Sequence, residues 1–127
     1  RAGSGTRFPW GNDPDYKKVS QYAWFWDNCD GSAHAVNEKQ PNGFGLYGMN
    51  GNVFEWCEDD WHYDYVDAPE DGSAWIDTPR TSNRVMRGGC WCSYFRDCRS
   101  SYRNCSTADV RNYAFGFRIA ATLLSHH

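Results

Sequence analysis

The chain has 127 residues, 17% of them aromatic and 23% charged, and a formal net charge of −3. That length makes one domain with a core and little to spare; no apolar run approaches the ~20 residues of a membrane-crossing helix, so no membrane span is expected. Seven Trp, eight Tyr and seven Phe imply a core packed by rings, and twelve Gly and five Pro imply a loop-rich fold of short elements.

In chain order, Arg1 to Thr6 (RAGSGT) is a polar, Gly-rich lead-in that reads as the tail of something earlier. Phe8 to Pro14 is dense in turn formers and aromatics. Gln21 to Trp26 (QYAWFW) suits a buried strand or one turn of helix, closed by the turn residues Asp27 to Gly31. Pro41 to Asn52 is nearly all turn formers and large anchors. It runs into a short strand, Val53 to Cys57, in which Val53, Glu55 and Cys57 share one face and Phe54 and Trp56 the other. A Glu among such aromatics needs a partner, an Arg or a cation, because an unpaired buried carboxylate is costly. Asp59 to Arg80 reads as a long acidic surface loop tied down by Trp61, Tyr63, Tyr65 and Trp75. Arg84 to Arg87 alternates as a strand, Gly88-Gly89 marks a close backbone approach, and Phe117 to Ala120 is expected to be the closing strand.

The small net charge hides a polarity along the sequence. Glu55 to Asp77 holds nine acids and no Lys or Arg, whereas Arg80 to Arg118 holds eight Arg and two acids. Two segments that pair across the fold explain this most simply. The Arg are spaced regularly rather than clustered, which argues against a nucleic-acid partner. Six Cys match no CxxC zinc pattern, and spacing leaves open whether they are free, buried or oxidised.

Within Arg84 to Arg118 a regular frame alternates with residues that follow neither a helical nor a strand period. The frame reads as scaffold and the filling as a recognition surface.

The blocks GFGLYGMNGNVFEW (Gly43 to Trp56), RVMRGG (Arg84 to Gly89) and GFRIA (Gly116 to Ala120), with the shorter RAGSGT, FPWGND and QYAWF, resemble the signature blocks of the formylglycine-generating enzyme family, the sulfatase-modifying factor domain. The resemblance covers essentially the whole chain. It implies an α+β, C-type lectin-like fold of the formylglycine-generating-enzyme type, loop-rich with little regular secondary structure. It also implies that the family domain begins ahead of RAGSGT, so the chain corresponds to its C-terminal part.

In the enzyme branch of that family, two cysteines of the block after Gly-Gly bind copper(I) and oxidise a substrate cysteine. The resemblance places the second at Cys98 but the first at Ser93, with Cys92 one residue off. In extended backbone that slip turns a side chain to the opposite face, which a two-thiolate copper site does not tolerate easily. A copper-dependent thiol oxidase and an inactive structural relative are therefore the alternatives, not the first expectation.

The block is more similar to the variable proteins of diversity-generating retroelements, in which error-prone copying of a template changes adenines. An AAC or AAT codon altered at adenine never yields Lys, Glu, Gln, Met or Trp, and none of these follows Trp91. The resemblance implies a spared scaffold of Arg87, Gly88, Gly89, Trp91, Cys98, Arg99, Arg103, Arg111, Gly116, Phe117 and Arg118. It implies a variable ligand-binding face of Cys92, Ser93, Tyr94, Asp97, Tyr102, Asn104, Cys105, Ser106, Val110, Asn112, Tyr113, Ala114 and Phe115. Rigid Tyr and Phe beside adaptable Ser and Asn give that face a paratope-like composition. Arg99, Arg103, Arg111 and Arg118 are expected to tie the loops to the acidic segment. The implied partner is a protein or surface glycan, met at a cell surface or virus particle.

Relatives hold calcium at the block aligned with Gly48 to Glu55. Gly51, Val53 and Glu55 match that block, but Gly48 stands where relatives carry Asn or Asp. With a side-chain oxygen missing, the expectation is no cofactor beyond a weak calcium site, with Glu55 paired to an Arg.

Overall fold

The computed structural model describes residues 2–121. Regular structure is sparse: one helical turn, α1 (Val19–Tyr22), one 3-10 turn (Phe95–Cys98) and four strands, β1 (Phe54–Asp60), β2 (Asn83–Arg87), β3 (Arg103–Thr107) and β4 (Phe115–Gly116). The strands form one sheet in the order β3-β2-β1-β4. β2 pairs antiparallel with both β1 and β3, and β4 joins the outer edge of β1 in parallel. A register break between Trp56 and Asp60 lets β1 bend toward the acidic loop. Among the described residues no helix is long and apolar enough to cross a membrane.

Rings build the core, in two clusters. One gathers Phe8, Val19, Ala23, Phe25 and Cys98; there Trp10 stacks on Phe8 at 4.6 Å and on Tyr22 at 4.5 Å. The other gathers Phe54, Met86, Cys90 and Ala114 under Trp56, Trp91, Tyr102 and Phe115. Phe54 and Trp56 both face this second cluster, as strand alternation requires.

Main-chain hydrogen bonds tie together the segments that carry the two clusters. Gly51 sits at φ +71, and a Cβ there would lie 2.3 Å from the Trp24 carbonyl oxygen; only glycine permits that approach. Its N–H donates to the Gly88 carbonyl at 2.6 Å, and the Asn52 N–H donates to the Trp24 carbonyl at 2.7 Å. The Asn52 carbonyl in turn accepts the Trp91 N–H at 2.7 Å. The glycine-rich block thus clamps the N-terminal segment to the start of the loop that follows β2. Gly89 meets the 3-10 turn in the same way: a Cβ would lie 2.9 Å from the Asp97 carbonyl oxygen.

Two expectations change in detail. Gln21 to Trp26 is neither a strand nor a helical turn throughout, since α1 ends at Tyr22 and Trp24 bridges to Gly51. The closing strand is Phe115–Gly116 rather than Phe117 to Ala120. The chain leaves the β1 edge after Gly116, where Arg118 turns back to Glu55, and Phe117 and Ile119 stand 78% and 85% exposed.

The acidic and basic segments do meet, chiefly at Asp60. Its fully buried carboxylate accepts from Arg84 at 2.7 Å, from Arg80 at 3.2 Å and from the Asp77 N–H at 2.8 Å. Burial pushes this carboxyl up, but the Asp77 N–H, Arg80 and Arg84 outweigh it and hold it below the ordinary range. The acidic loop is pinned by rings, Trp75 stacking on His62 at 3.5 Å. Arg103 lies 4.4 Å from the Trp61 ring and 4.6 Å from that of Tyr65.

Candidate ligand-binding face

After β2 the chain makes a tight turn over Cys90 to Ser93, closed by the Ser93 N–H on the Cys90 carbonyl at 3.0 Å. The 3-10 turn, edge strand β3, a loop and β4 follow, so the interposed residues run from the turn after β2 to both edges of the sheet, β3 at one and β4 at the other. Cys92, Tyr94, Val110, Asn112 and Tyr113 are exposed, Tyr113 at 94%. Asp97, Tyr102, Asn104, Cys105 and Ser106 are half-buried.

Three expected members of the face are buried or packed into the sheet. Ser93 is buried; its hydroxyl accepts the Cys90 N–H at 3.1 Å and its carbonyl accepts the Trp26 N–H at 2.9 Å. Ala114 is core, and its carbonyl takes the Phe54 N–H at 2.7 Å. Phe115 lies in β4 with its ring edge-on to Trp56 at 5.5 Å. Sequence spacing treats these like their neighbours because a tight turn and a two-residue strand leave no period to read.

The scaffold divides similarly. Arg87 donates to the Tyr65 hydroxyl at 3.1 Å, Cys98 is wholly buried, and Gly88 and Gly89 make their close approaches. The half-buried Trp91 donates its indole N–H to the Tyr113 carbonyl at 3.4 Å. Arg118 clasps Glu55 with two bonds, Nε to Oε2 at 3.1 Å and Nη2 to Oε1 at 2.8 Å, and Nη2 also donates to the Tyr47 carbonyl at 2.8 Å. Arg99 instead bonds locally to the Arg96 carbonyl and lies near Asp97, without reaching the acidic segment. Arg111 and Phe117 are exposed and do not act as buried posts.

One part of the face was missed from sequence. Gly31, Ser32 and Ala33, far away in the chain, form a small-residue wall opposite Trp91 and Tyr113 around a cavity of about 380 Å³. The only sequence signal was the turn-forming DGS stretch, which says nothing about what it faces.

All six cysteines are free. Burial pushes the Cys98 thiol up to about 12, with Cys90 and Asp97 adding to it. Burial and the neighbouring Cys90 push Cys92 up to about 11. Both are therefore protonated at neutral pH. The Cys92 sulfur meets that of Cys90, at 2.7 Å. Among the described residues, no three His, Cys, Asp or Glu side chains group closely enough to hold a metal ion.

The family model for a sulfatase-modifying factor enzyme 1-like domain matches residues 1–123. The chain is 37% identical over 132 residues to the formylglycine-generating enzyme of Thermomonospora curvata, covering 91% of this chain and 43% of that protein. Its fold is similar to the structure of PvdO from Pseudomonas aeruginosa, with TM-score 0.72, 36% identity and coverage of 77% and 38% of the two chains. It is also similar to Treponema denticola variable protein 1, with TM-score 0.65, 34% identity and coverage of 79% and 36%. The chain thus spans less than half the length of each. These likenesses place the loop-rich sheet in the C-type lectin-like class. The chain belongs to the formylglycine-generating enzyme, or sulfatase-modifying factor, family, and within it is similar to a variable protein.

Proposed function

We propose that this chain is a ligand-binding display domain, its face diversified by adenine-directed copying. Cys92, Tyr94, Val110, Asn112 and Tyr113, which such copying can change, are exposed and five more are half-buried, while Gly88, Gly89 and Cys98 hold the turns beneath them. That segregation carries the proposal. Tyr94 and Tyr113 offer ring surface at small entropic cost, and Asn112 and Asn104 offer adaptable hydrogen bonds. The cavity between Trp91, Tyr113 and Gly31 to Ala33 is roomy enough for one side chain or one sugar ring of a protein or glycan ligand.

Copper-dependent oxidation of a thiol is the second reading, favoured by the 37% identity to a formylglycine-generating enzyme. Two observations weigh against it. Ser93 holds the position of the first paired cysteine, and the Cys98 thiol is wholly buried, out of reach of a substrate thiol. We propose likewise that no tight calcium ion binds at Gly51, Val53 and Glu55. Both Glu55 oxygens already accept from the Arg118 guanidinium, which meets the carboxylate's need for a cation.

A randomised library tests display. Replacing Cys92, Tyr94, Val110, Asn112 and Tyr113 together with the residues accessible from an adenine-mutated Asn codon should leave most members folded, whereas the same randomisation of Ser93, Ala114 and Phe115 should not. Equal loss from both libraries would remove the display reading. Oxygen consumption with copper(I) and a cysteine peptide, abolished by Cys98→Ser, would put the oxidase in its place.

A further inference from the structure

We propose that Cys90 and Cys92 form a thiol–disulfide site that is oxidised by small-molecule disulfides such as oxidised glutathione. The turn closed between Ser93 and Cys90 brings the two sulfurs together across the intervening Trp91, 2.7 Å apart. A disulfide bond is about 2.05 Å long, so the two sulfurs have less than about 1 Å to close. The partners are unlike in access: Cys92 is exposed and Cys90 is 1% exposed. That is the arrangement of an attacking thiol and a resolving one.

The steps balance. The Cys92 thiolate attacks one sulfur of the small disulfide, its S–S bond breaks, and one thiol leaves. The Cys90 thiolate then attacks the Cys92 sulfur of the mixed disulfide and expels the second thiol. The protein loses two protons and two electrons, and the cleaved disulfide gains both as two thiols.

The neighbouring thiols do not compete. Cys29 donates to the Trp91 carbonyl at 3.2 Å and accepts from the Gly31 N–H at 3.3 Å. Cys98 is wholly buried behind Gly89. Because burial and Cys90 hold the Cys92 thiol at about 11, the first step is slow at neutral pH and accelerates about tenfold per pH unit on the alkaline side. The bridge ties the exposed loop to the core cluster that contains Cys90, and the residue it encloses, Trp91, lines the 380 Å³ cavity. The proposal stands independently of the display reading, since it concerns thiol chemistry alone.

The test is a peptide map of the reduced protein after exposure to oxidised glutathione at mildly alkaline pH, acid quenching, alkylation and trypsin. Cleavage after Arg87 and Arg96 isolates a peptide, Gly88 to Arg96, whose cysteines are Cys90 and Cys92 alone. Expected is that peptide unalkylated and lighter by two hydrogens, with Cys90→Ala retaining glutathione on Cys92 and Cys57→Ala, at a half-buried cysteine outside both clusters, bridging at the wild-type rate. A wild-type peptide with both thiols alkylated, or with glutathione held on Cys92 and Cys90 alkylated, overturns the proposal. So does loss of the bridge in Cys57→Ala.

Discussion

Asp60→Asn should be among the most damaging conservative substitutions in this chain. Asn keeps the shape of Asp60 but removes the charge that two guanidinium groups share, Arg84 at 2.7 Å and Arg80 at 3.2 Å. Its amide also turns two donors toward a pocket already holding three, namely those guanidinium groups and the Asp77 N–H. Breaking a buried pair from one side costs about 3–5 kcal/mol, because the remaining charges stay behind without compensation. For a domain of this size each kcal/mol moves the melting temperature by roughly 3–5 °C, so the variant should melt about 10–20 °C lower. Asp67→Asn, on an exposed turn at φ +63 that Asn adopts readily, should change stability by less than about 0.5 kcal/mol and serves as the control. The assay is urea unfolding of both variants at pH 7. The sign in acid follows from the lowered carboxyl of Asp60. Its stabilisation is complete above the unfolded-state value near pH ~3.9 and vanishes as pH falls through the lower folded-state value, a slope that Asp60→Asn lacks. A loss under about 1 kcal/mol at pH 7, or an unchanged acid slope, would refute the claim that the acidic and basic segments are joined at this carboxylate.

Gly51→Ala forces a methyl group to within 2.3 Å of the Trp24 carbonyl oxygen at positive φ; a loss above about 3 kcal/mol in urea unfolding is expected, from backbone strain and the displaced clamp together. Tyr113→Ala, at 94% exposure, should leave the melting temperature within about 2 °C, whereas Ala114→Asn, one residue on, buries an unpaired amide and should cost about 2–3 kcal/mol. A calcium chelator should leave thermal unfolding unchanged in the native chain; a melting temperature that falls with chelator and recovers with calcium would contradict the Glu55–Arg118 assignment.

What could be read before folding, and what could not, divides along physical lines. The ring-built core, the glycine approaches and the Arg partner of Glu55 were legible because composition, φ-demanding residues and an unpaired carboxylate each admit few solutions. The strand at Phe54 was legible because its alternation is clean, and its extension to Asp60 was not, since a register break precedes acids whose partners arrive from Arg80 and Arg84. On the candidate face, exposure of Tyr94, Asn112 and Tyr113 was anticipated, yet Ser93 and Ala114 turned inward. Both are fixed by main-chain hydrogen bonds, to Cys90 and Phe54, and any side chain that fits can occupy such places without leaving a pattern. The wall from Gly31 to Ala33 was invisible for a related reason: long-range docking of a loop carries no local periodicity.

The most direct measurement is the DNA sequence around the 3′ end of this gene. Expected is a near-copy of the stretch coding for Arg84 to Arg118 that differs almost only where the copy carries adenine, with the differences falling on codons of exposed residues such as Cys92, Tyr94, Asn112 and Tyr113. Absence of a copy, or differences spread over all four bases and through the buried frame, would contradict a diversified display face and make Cys98 the residue to test for oxidase activity.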